Sequence, residues 1–420
     1  VRAGDGSRDG ARLRTIAVLV AGQVLGGVSA GATISLGALL ASDVTGDEAL
    51  SGLASTFLTL GAAIAAVPLS RLAVRSGRRI ALASGVLVSA IGAAATIGAV
   101  AVSSAVLLFV SFLLVGVGSA VGLQARFAAT DLSGPSSRAR DLAVVVWATT
   151  IGAVLGPNLV GPGAIVGGAF GLPDRTGPFL FSIASGLLAA IVYLVGLRPD
   201  PLLESRRRGT SRVVVGGAEE KPSASRRRFA VFAVTASHAV MVAVMAMTPV
   251  QLHHHGNADA VVGFTLSLHI AGMYALSPVF GWLADRSGRI VVVLGGQATL
   301  AAALVVAALG AHDTAAVSVG LVLLGLGWSA STIAGSALVT ESTARVDRPR
   351  TQGRSDLFMN LGGAAAGALA GVVLSQFGYA GLALTALAVV VAVVVAAALT
   401  ARSGRPEATI ASAQGSVDRP

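Results

Sequence analysis

The sequence contains no cysteine. Disulfide bonds and thiolate metal traps are therefore excluded. Charge is scarce as well: Asp, Glu, Lys and Arg make up only 12% of the 420 residues, about half the share of a soluble domain. Aromatics amount to 5%, with three Trp and three Tyr, which leaves little to stack on an organic ligand. Lysine is nearly missing, with Lys221 alone against 29 arginines. No nucleophile–base pair or metal-hydrolase constellation can be read, and the chain offers no soluble signalling domain, so neither an enzyme nor a sensor is expected. The net charge of +10 would suit a nucleic-acid binder, but the arginines lie where a membrane surface would want them. A lipid bilayer is the expected partner and nucleic acid is not.

Long apolar runs are what the chain does have, with 54% of residues hydrophobic. Polar or Gly/Pro punctuation divides them into twelve spans at 15–41, 48–72, 79–101, 104–126, 141–163, 178–197, 229–250, 260–284, 290–310, 315–340, 353–376 and 379–400. Each is close to the roughly 20 residues that cross a bilayer as a helix. The run behind Arg2, Arg8, Arg12 and Arg14 is too long for a signal peptide and reads as a retained first span. With both termini inside, 29 of the 30 basic residues fall on the inner side and only Arg175 outside. This predicts a multi-pass protein of the cytoplasmic membrane with both termini cytoplasmic.

The expected organisation is a six-helix half over 1–197, a cytoplasmic linker over 198–228, a second six-helix half over 229–400 and a cytoplasmic tail over 401–420. The linker carries the triplets Arg206–Arg208 and Arg226–Arg228, with Pro201, Pro222 and Gly216-Gly217. It reads as a solvated loop, with a lipid-headgroup contact as the alternative. The tail has the composition of a disordered segment.

The two halves repeat. Arg75-Ser76-Gly77-Arg78 returns as Arg286-Ser287-Gly288-Arg289, an offset of 211 residues, each time in the short loop after the second span of its half. The second copy is fuller: Gly281-Trp282-Leu283-Ala284-Asp285-Arg286-Ser287-Gly288-Arg289. Gly allows a tight turn, Asp285 suits a helix N-terminus, and Arg suits helix carbonyls. Parallel six-span halves around a central linker, with this loop, resemble the major facilitator superfamily. The resemblance implies an all-α membrane protein of twelve helices in two halves, a transporter in which Arg75, Gly77, Arg78, Asp285, Arg286, Gly288 and Arg289 take part in gating. The first copy departs from the pattern, with Val74 in place of the acid and Ser70 in place of the Gly.

The fifth span contains Gly152, Gly156 and Pro157 in GAVLGPNLVG. By residue type this is close helix packing with a Pro kink. It also resembles the antiporter signature of exporters in the superfamily, with Val160 replacing one Gly. Phe112 stands where proton-linked members often carry an Arg. Arg126, Asp131, Arg138, Arg140 and Asp141 read as an ion-pair group at span ends, and Glu341 and Asp356 are likewise placed at ends. That leaves His238 and His269 as the deep ionisable groups, which are functional candidates by default.

Met and His are concentrated. Of five Met and six His, nine fall between His238 and Met273. Thioether and imidazole together suit copper, above all Cu(I); the alternative is that Met fills gaps in an apolar core. At about 100° per residue, His238, Met241 and Met245 share one helical face, and His269 and Met273 share another, while Met247 points away. His253-His254-His255 is placed in the outer loop, where a loose capture role is one option. Met241-x-x-x-Met245 and His269-x-x-x-Met273 resemble the paired motifs of CcoA-like copper importers, whose relatives without them carry riboflavin. That resemblance implies a metal site of Met241, Met245, His269 and Met273, with His238 as a fifth group, in a monomer that imports copper as cargo and holds no cofactor. The alternative is an organic-substrate transporter, either a drug or metabolite exporter or a riboflavin-like vitamin importer.

Overall fold

The computed structural model describes residues 5–47, 50, 53–213, 223–254 and 259–403. The described residues form helices α1 (Asp5–Thr45), α2 (Leu53–Ala101), α3 (Ala105–Ala128), α4 (Arg138–Asn158), α5 (Val160–Ala169), α6 (Pro178–Gly196) and α7 (Pro201–Val213). They continue as α8 (Ala224–His254), α9 (Asp259–Tyr274), α10 (Ser277–Ser287), α11 (Arg289–Leu309), α12 (Thr314–Glu341) and α13 (Arg348–Ser403). Helices α2 and α13 each hold two spans, divided at Gly77 and Gly378, where the backbone leaves helical geometry. Span five is α4 with α5, and span eight is α9 with α10. The twelve spans are thus α1, the two parts of α2, α3, α4–α5, α6, α8, α9–α10, α11, α12 and the two parts of α13. All-α architecture in two six-helix halves is what the sequence predicts.

Some boundaries differ. The first helix starts at Asp5, ten residues before the predicted span, and Arg12 on that extension is ion-paired to Asp141 at 2.6 Å. The linker holds a helix, α7. Pro201 opens it, and the Asp200 carboxylate accepts the Leu202 and Leu203 N–H groups at 3.0 and 3.2 Å, which satisfies donors the first turn leaves unpaired. Helix α8 runs on to His254, so His253 and His254 continue span seven and are not in a loop; His255 lies outside the described residues. The predicted disordered tail lies outside them from residue 404 onward.

Water gives no hydrophobic drive between helices in lipid, so helices associate through close packing of small residues. Gly61 on span two faces the Leu113 carbonyl on span four, where a Cβ would sit 2.0 Å from the oxygen. Gly116 on span four faces the Leu58 carbonyl in return, at 2.1 Å. The second half repeats the device, with span eight offset from span two by 211 residues and span ten offset from span four by 209. Gly272 on span eight faces Val322, and Gly325 on span ten faces the His269 carbonyl, at 2.8 and 2.6 Å. Backbone therefore touches backbone within each half, and the repeat extends from the loop motif into the packing. Gly152 does the same between spans five and one, 2.5 Å from the Gly27 Cα. The interruption between α4 and α5 follows directly on Gly156-Pro157, where proline has no N–H for the helix ladder.

The linker, the loops after spans two, four, eight and ten, and the loop motifs lie on one side, here the basic side. Gly77 (φ 88°, ψ 169°) and Gly288 (φ 100°, ψ 146°) make equivalent turns there, in a region of backbone space essentially reserved for glycine. Gly77 is also crowded, since a Cβ would lie 2.3 Å from Asp200 Oδ2, whereas Gly288 faces open space. Alanine at either position should cost about 1–3 kcal/mol through strain. Gly77→Ala should be the worse, because it also displaces the carboxylate that accepts the Arg79 N–H at 2.8 Å. Thermal midpoints of the two variants in detergent test this order; equal losses would show that the Asp200 contact carries no weight.

Candidate functional site

The halves meet on the basic side through polar contacts. Asp285 on span eight accepts the Ala139 and Arg140 backbone N–H groups at 3.1 and 2.9 Å, at the N-terminus of span five. A carboxylate there meets both unpaired donors and the positive end of the helix dipole. Arg289 pairs with Asp285 at 3.0 Å and donates to the Pro135 carbonyl. Arg286 lies over the Trp282 ring, 5.4 Å from its centroid. In the first-half copy, Val74 offers only its backbone carbonyl, which accepts from Arg206 at 2.9 Å. Arg78 is fully buried and crosses to Gln352 on span eleven at 2.6 Å, while also binding Asp131 at 2.8 Å and Gln124 at 3.2 Å. Burial raises the Asp131 carboxyl above the usual carboxylate range, with the Arg78 guanidinium pulling the other way. Arg75 is exposed on the same turn.

Deeper in the seam, Arg126 on span four donates to Asp356 on span eleven at 2.6 Å, with both side chains buried. Span eleven starts at Arg348 and not at 353, so Asp356 is two turns inside it, roughly 12 Å along the axis. A carboxylate does lie deep in the protein, buried against the other half, which corrects its reading as a span-end residue. Each partner keeps one polar atom without a hydrogen bond: Arg126 Nε as a donor and Asp356 Oδ2 as an acceptor. Buried polar groups are normally satisfied, so this pair holds one unpaired donor and one unpaired acceptor, both buried inside the seam.

Aromatic rings gather beside it. The Trp328 Nε1–H on span ten donates to His238 Nδ1 on span seven at 3.1 Å. Tyr274, at the break in span eight, meets Trp328 edge-on with ring centroids 5.9 Å apart. Arg126 lies over the Phe127 ring, 4.9 Å from its centroid, and Tyr274 packs on the apolar cluster that Phe127 belongs to. Two of the six Trp and Tyr residues are therefore in one place, with a cation and a carboxylate. Their very scarcity was the available signal, and it pointed the other way because local sequence does not show that span ten meets span eight here.

The soft side chains are arranged differently from a facing pair of motifs. Span eight lies along span ten and only brushes span seven. His269 is fully buried, and its Nδ1 is bonded to the Leu321 carbonyl of span ten at 2.7 Å, while its Nε2 has no partner. Met241 and Met273 are buried in one apolar cluster with Trp328, and Met245 packs on its edge. Met247 packs elsewhere, with Ala370 and Leu382. Among the described residues no group of three or more His, Asp or Glu is placed to hold a metal ion.

Replacing Arg126 by Gln or Asp356 by Asn alone leaves a buried charge uncompensated and should cost about 3–5 kcal/mol. The double variant should cost clearly less than the sum, because two neutral amides can still bond across the seam. Thermal unfolding of the four proteins in detergent measures the coupling, and strict additivity would show that the pair is not energetically linked.

Comparison with known proteins places these features in context. The Major Facilitator Superfamily matches residues 16–268 and again 229–418. The chain is 40% identical over 374 residues to the uncharacterized MFS-type transporter YddS of Bacillus subtilis, covering 87% of this chain and 86% of that protein. It is 28% identical over 368 residues to the riboflavin transporter RfnT of Brucella anthropi, covering 87% and 90%. Among solved structures, the human organic anion transporter MFSD10 (TETRAN) superposes with a TM-score of 0.72 at 16% identity, covering 92% of this chain and 99% of that one. That likeness establishes the fold alone.

Proposed function

The chain belongs to the major facilitator superfamily and is a multi-pass secondary transporter, and from this premise we propose that its cargo is a planar heteroaromatic solute of the riboflavin type. The observation that carries the reading is the unpaired donor and acceptor of the Arg126–Asp356 pair beside Trp328, Tyr274 and His238. A flavin-like ring has adjacent N–H and C=O groups along one edge. The N–H suits Asp356 Oδ2, the C=O suits Arg126 Nε, and the ring faces suit the aromatic side chains. A named riboflavin transporter among the relatives supports the same class. Each half moves as a packed body around the seam, with the basic side cytoplasmic by the positive-inside rule. Asp285 then acts as a gate at the span-five N-terminus, with Arg286, Gly288 and Arg289 shaping its turn and Arg75, Gly77 and Arg78 shaping the first-half counterpart.

Copper import is the second reading. One observation favours it: His269 Nε2 is buried without a partner while Met241, Met273 and Met245 gather in one cluster. Thioether and imidazole ligands would suit Cu(I) if the spans shift to bring them together, with His238 as a further group.

The two readings separate cleanly. Riboflavin titrated against the purified protein should show quenched flavin fluorescence. Trp328→Leu and Tyr274→Leu should each weaken binding up to about tenfold, since an aromatic pair is worth about 0.5–1.5 kcal/mol beyond buried area. Met241→Leu should leave it unchanged. Asp285→Ala should also leave binding intact but slow uptake into proteoliposomes. If the parent and both aromatic variants fail to bind flavin, and cellular copper accumulation collapses in Met241→Leu, Met245→Leu and His269→Gln but not Met247→Leu, copper is the cargo.

A further inference from the structure

The two seams that join the halves on the basic side are related by the internal repeat but built unequally. Where span eight crosses span five, Asp285 fills the helix N-terminus and closes the seam. Where span two crosses span eleven, the equivalent residue is Val74, which has no acid to offer. The backbones do meet: a Cβ on Gly353 would lie 2.9 Å from the Ala66 carbonyl oxygen. Beside that contact a cavity of 410 Å³ stays open, lined by Arg71, Arg75, Arg350 and Arg354 together with Val74 and Ser70. Arg71 and Arg75 are one turn apart on span two, and Arg350 and Arg354 are one turn apart on span eleven. All four are exposed, and among the described residues none of them has a hydrogen-bond or ion-pair partner.

We propose that this cleft binds the phosphate headgroup of an anionic phospholipid, which bridges the two halves and stands in for the acid that the first half lacks. Four guanidinium groups converging on one cavity repel each other, and each offers a fork of donors that fits phosphate oxygens two at a time. An anion between them relieves the repulsion and ties span two to span eleven. The surfaces continuing inward argue for a lipid rather than a soluble phosphate. On the face of span two that carries Arg71, the next turns expose Ile64 (53%) and Leu60 (39%). On the face of span eleven that carries Arg354, they expose Phe358 (52%) and Leu361 (44%). An acyl chain would lie along this apolar track with its phosphate at the arginines, at the depth where headgroups meet helix ends. The proposal does not depend on which cargo is transported.

The test is native mass spectrometry of the full-length protein in detergent supplied with equal amounts of phosphatidylglycerol and phosphatidylcholine. Basic residues near an anionic surface favour anionic headgroups, so the parent should retain phosphatidylglycerol at least about tenfold better. The combined Arg71→Gln, Arg75→Gln, Arg350→Gln, Arg354→Gln variant should lose that preference. Removing charge nearby on the same side, by Arg226→Gln, Arg227→Gln and Arg228→Gln together, should not. Val74→Asp, which restores an acid to the cleft, should lower phosphatidylglycerol retention several-fold without lowering the thermal midpoint, and it stands as the test if the quadruple variant fails to fold. Equal retention of both lipids by the parent, loss of preference in the triplet variant, or unchanged retention in Val74→Asp each overturns the proposal. Displacement of phosphatidylglycerol by millimolar inorganic phosphate or glycerol 3-phosphate would assign the cleft to a soluble anion and overturn the lipid as its occupant.

Discussion

The Arg126–Asp356 pair is the constraint around which the seam is arranged. Two charges taken out of water lose several kcal/mol of solvation each, and their mutual attraction repays this only while the geometry holds. Here it holds because spans two and eleven pack closely on the basic side, where Arg78–Gln352 and Asp285 with the span-five N-terminus add further bonds. The closed basic side and the buried pair therefore require each other. A solute that engages the unpaired donor and acceptor of the pair acts on the same balance, because it supplies partners to atoms that otherwise go without.

The fold was legible in the chain because its causes are local. Apolar run length gives spans, and a loop motif at a 211-residue offset gives the repeat. The packing glycines recur too, Gly61 and Gly272 at that offset and Gly116 and Gly325 at 209 residues, although their meaning depends on which spans touch. The site was much less legible. Asp356 was placed at a span end because hydropathy trims charged residues from a predicted span, whereas here the helix continues through a charge that is buried in protein and not in lipid. Its partner is 230 residues away, beyond any local pattern. Trp328 and Tyr274 were discounted for their rarity, and only the meeting of spans eight and ten brings them together. The methionine and histidine spacings give faces of single helices, and no local pattern reveals that span eight turns His269 towards span ten.

The two copies of the loop motif have kept their glycine turns while diverging in chemistry. Gly77 and Gly288 hold matching backbone conformations, yet the residue at the acidic position is Asp285 in one and Val74 in the other. The backbone requirement is steric and penalises any other residue at that position, whereas the charge requirement can be met from several places. Asp200 shows this directly, since it approaches Gly77 from the linker and accepts N–H groups from the starts of both span three and α7. The linker helix is thereby attached to the first half.

The reciprocal contacts of Gly61 with Leu113 and Gly116 with Leu58 leave no compressible layer of side chains between spans two and four, and the same holds for Gly272 and Gly325. Each half behaves mechanically as a stiff lever. Span ten, with 28 residues, is about 42 Å long, and the fulcrum lies near its basic end. An adjustment of about 2 Å at the seam, the scale of one hydrogen bond lengthening beyond its normal range, is multiplied several-fold at the far end of such an arm. A passage opened this way draws its travel from stiffness at the glycines and a change of bond partners at the seam.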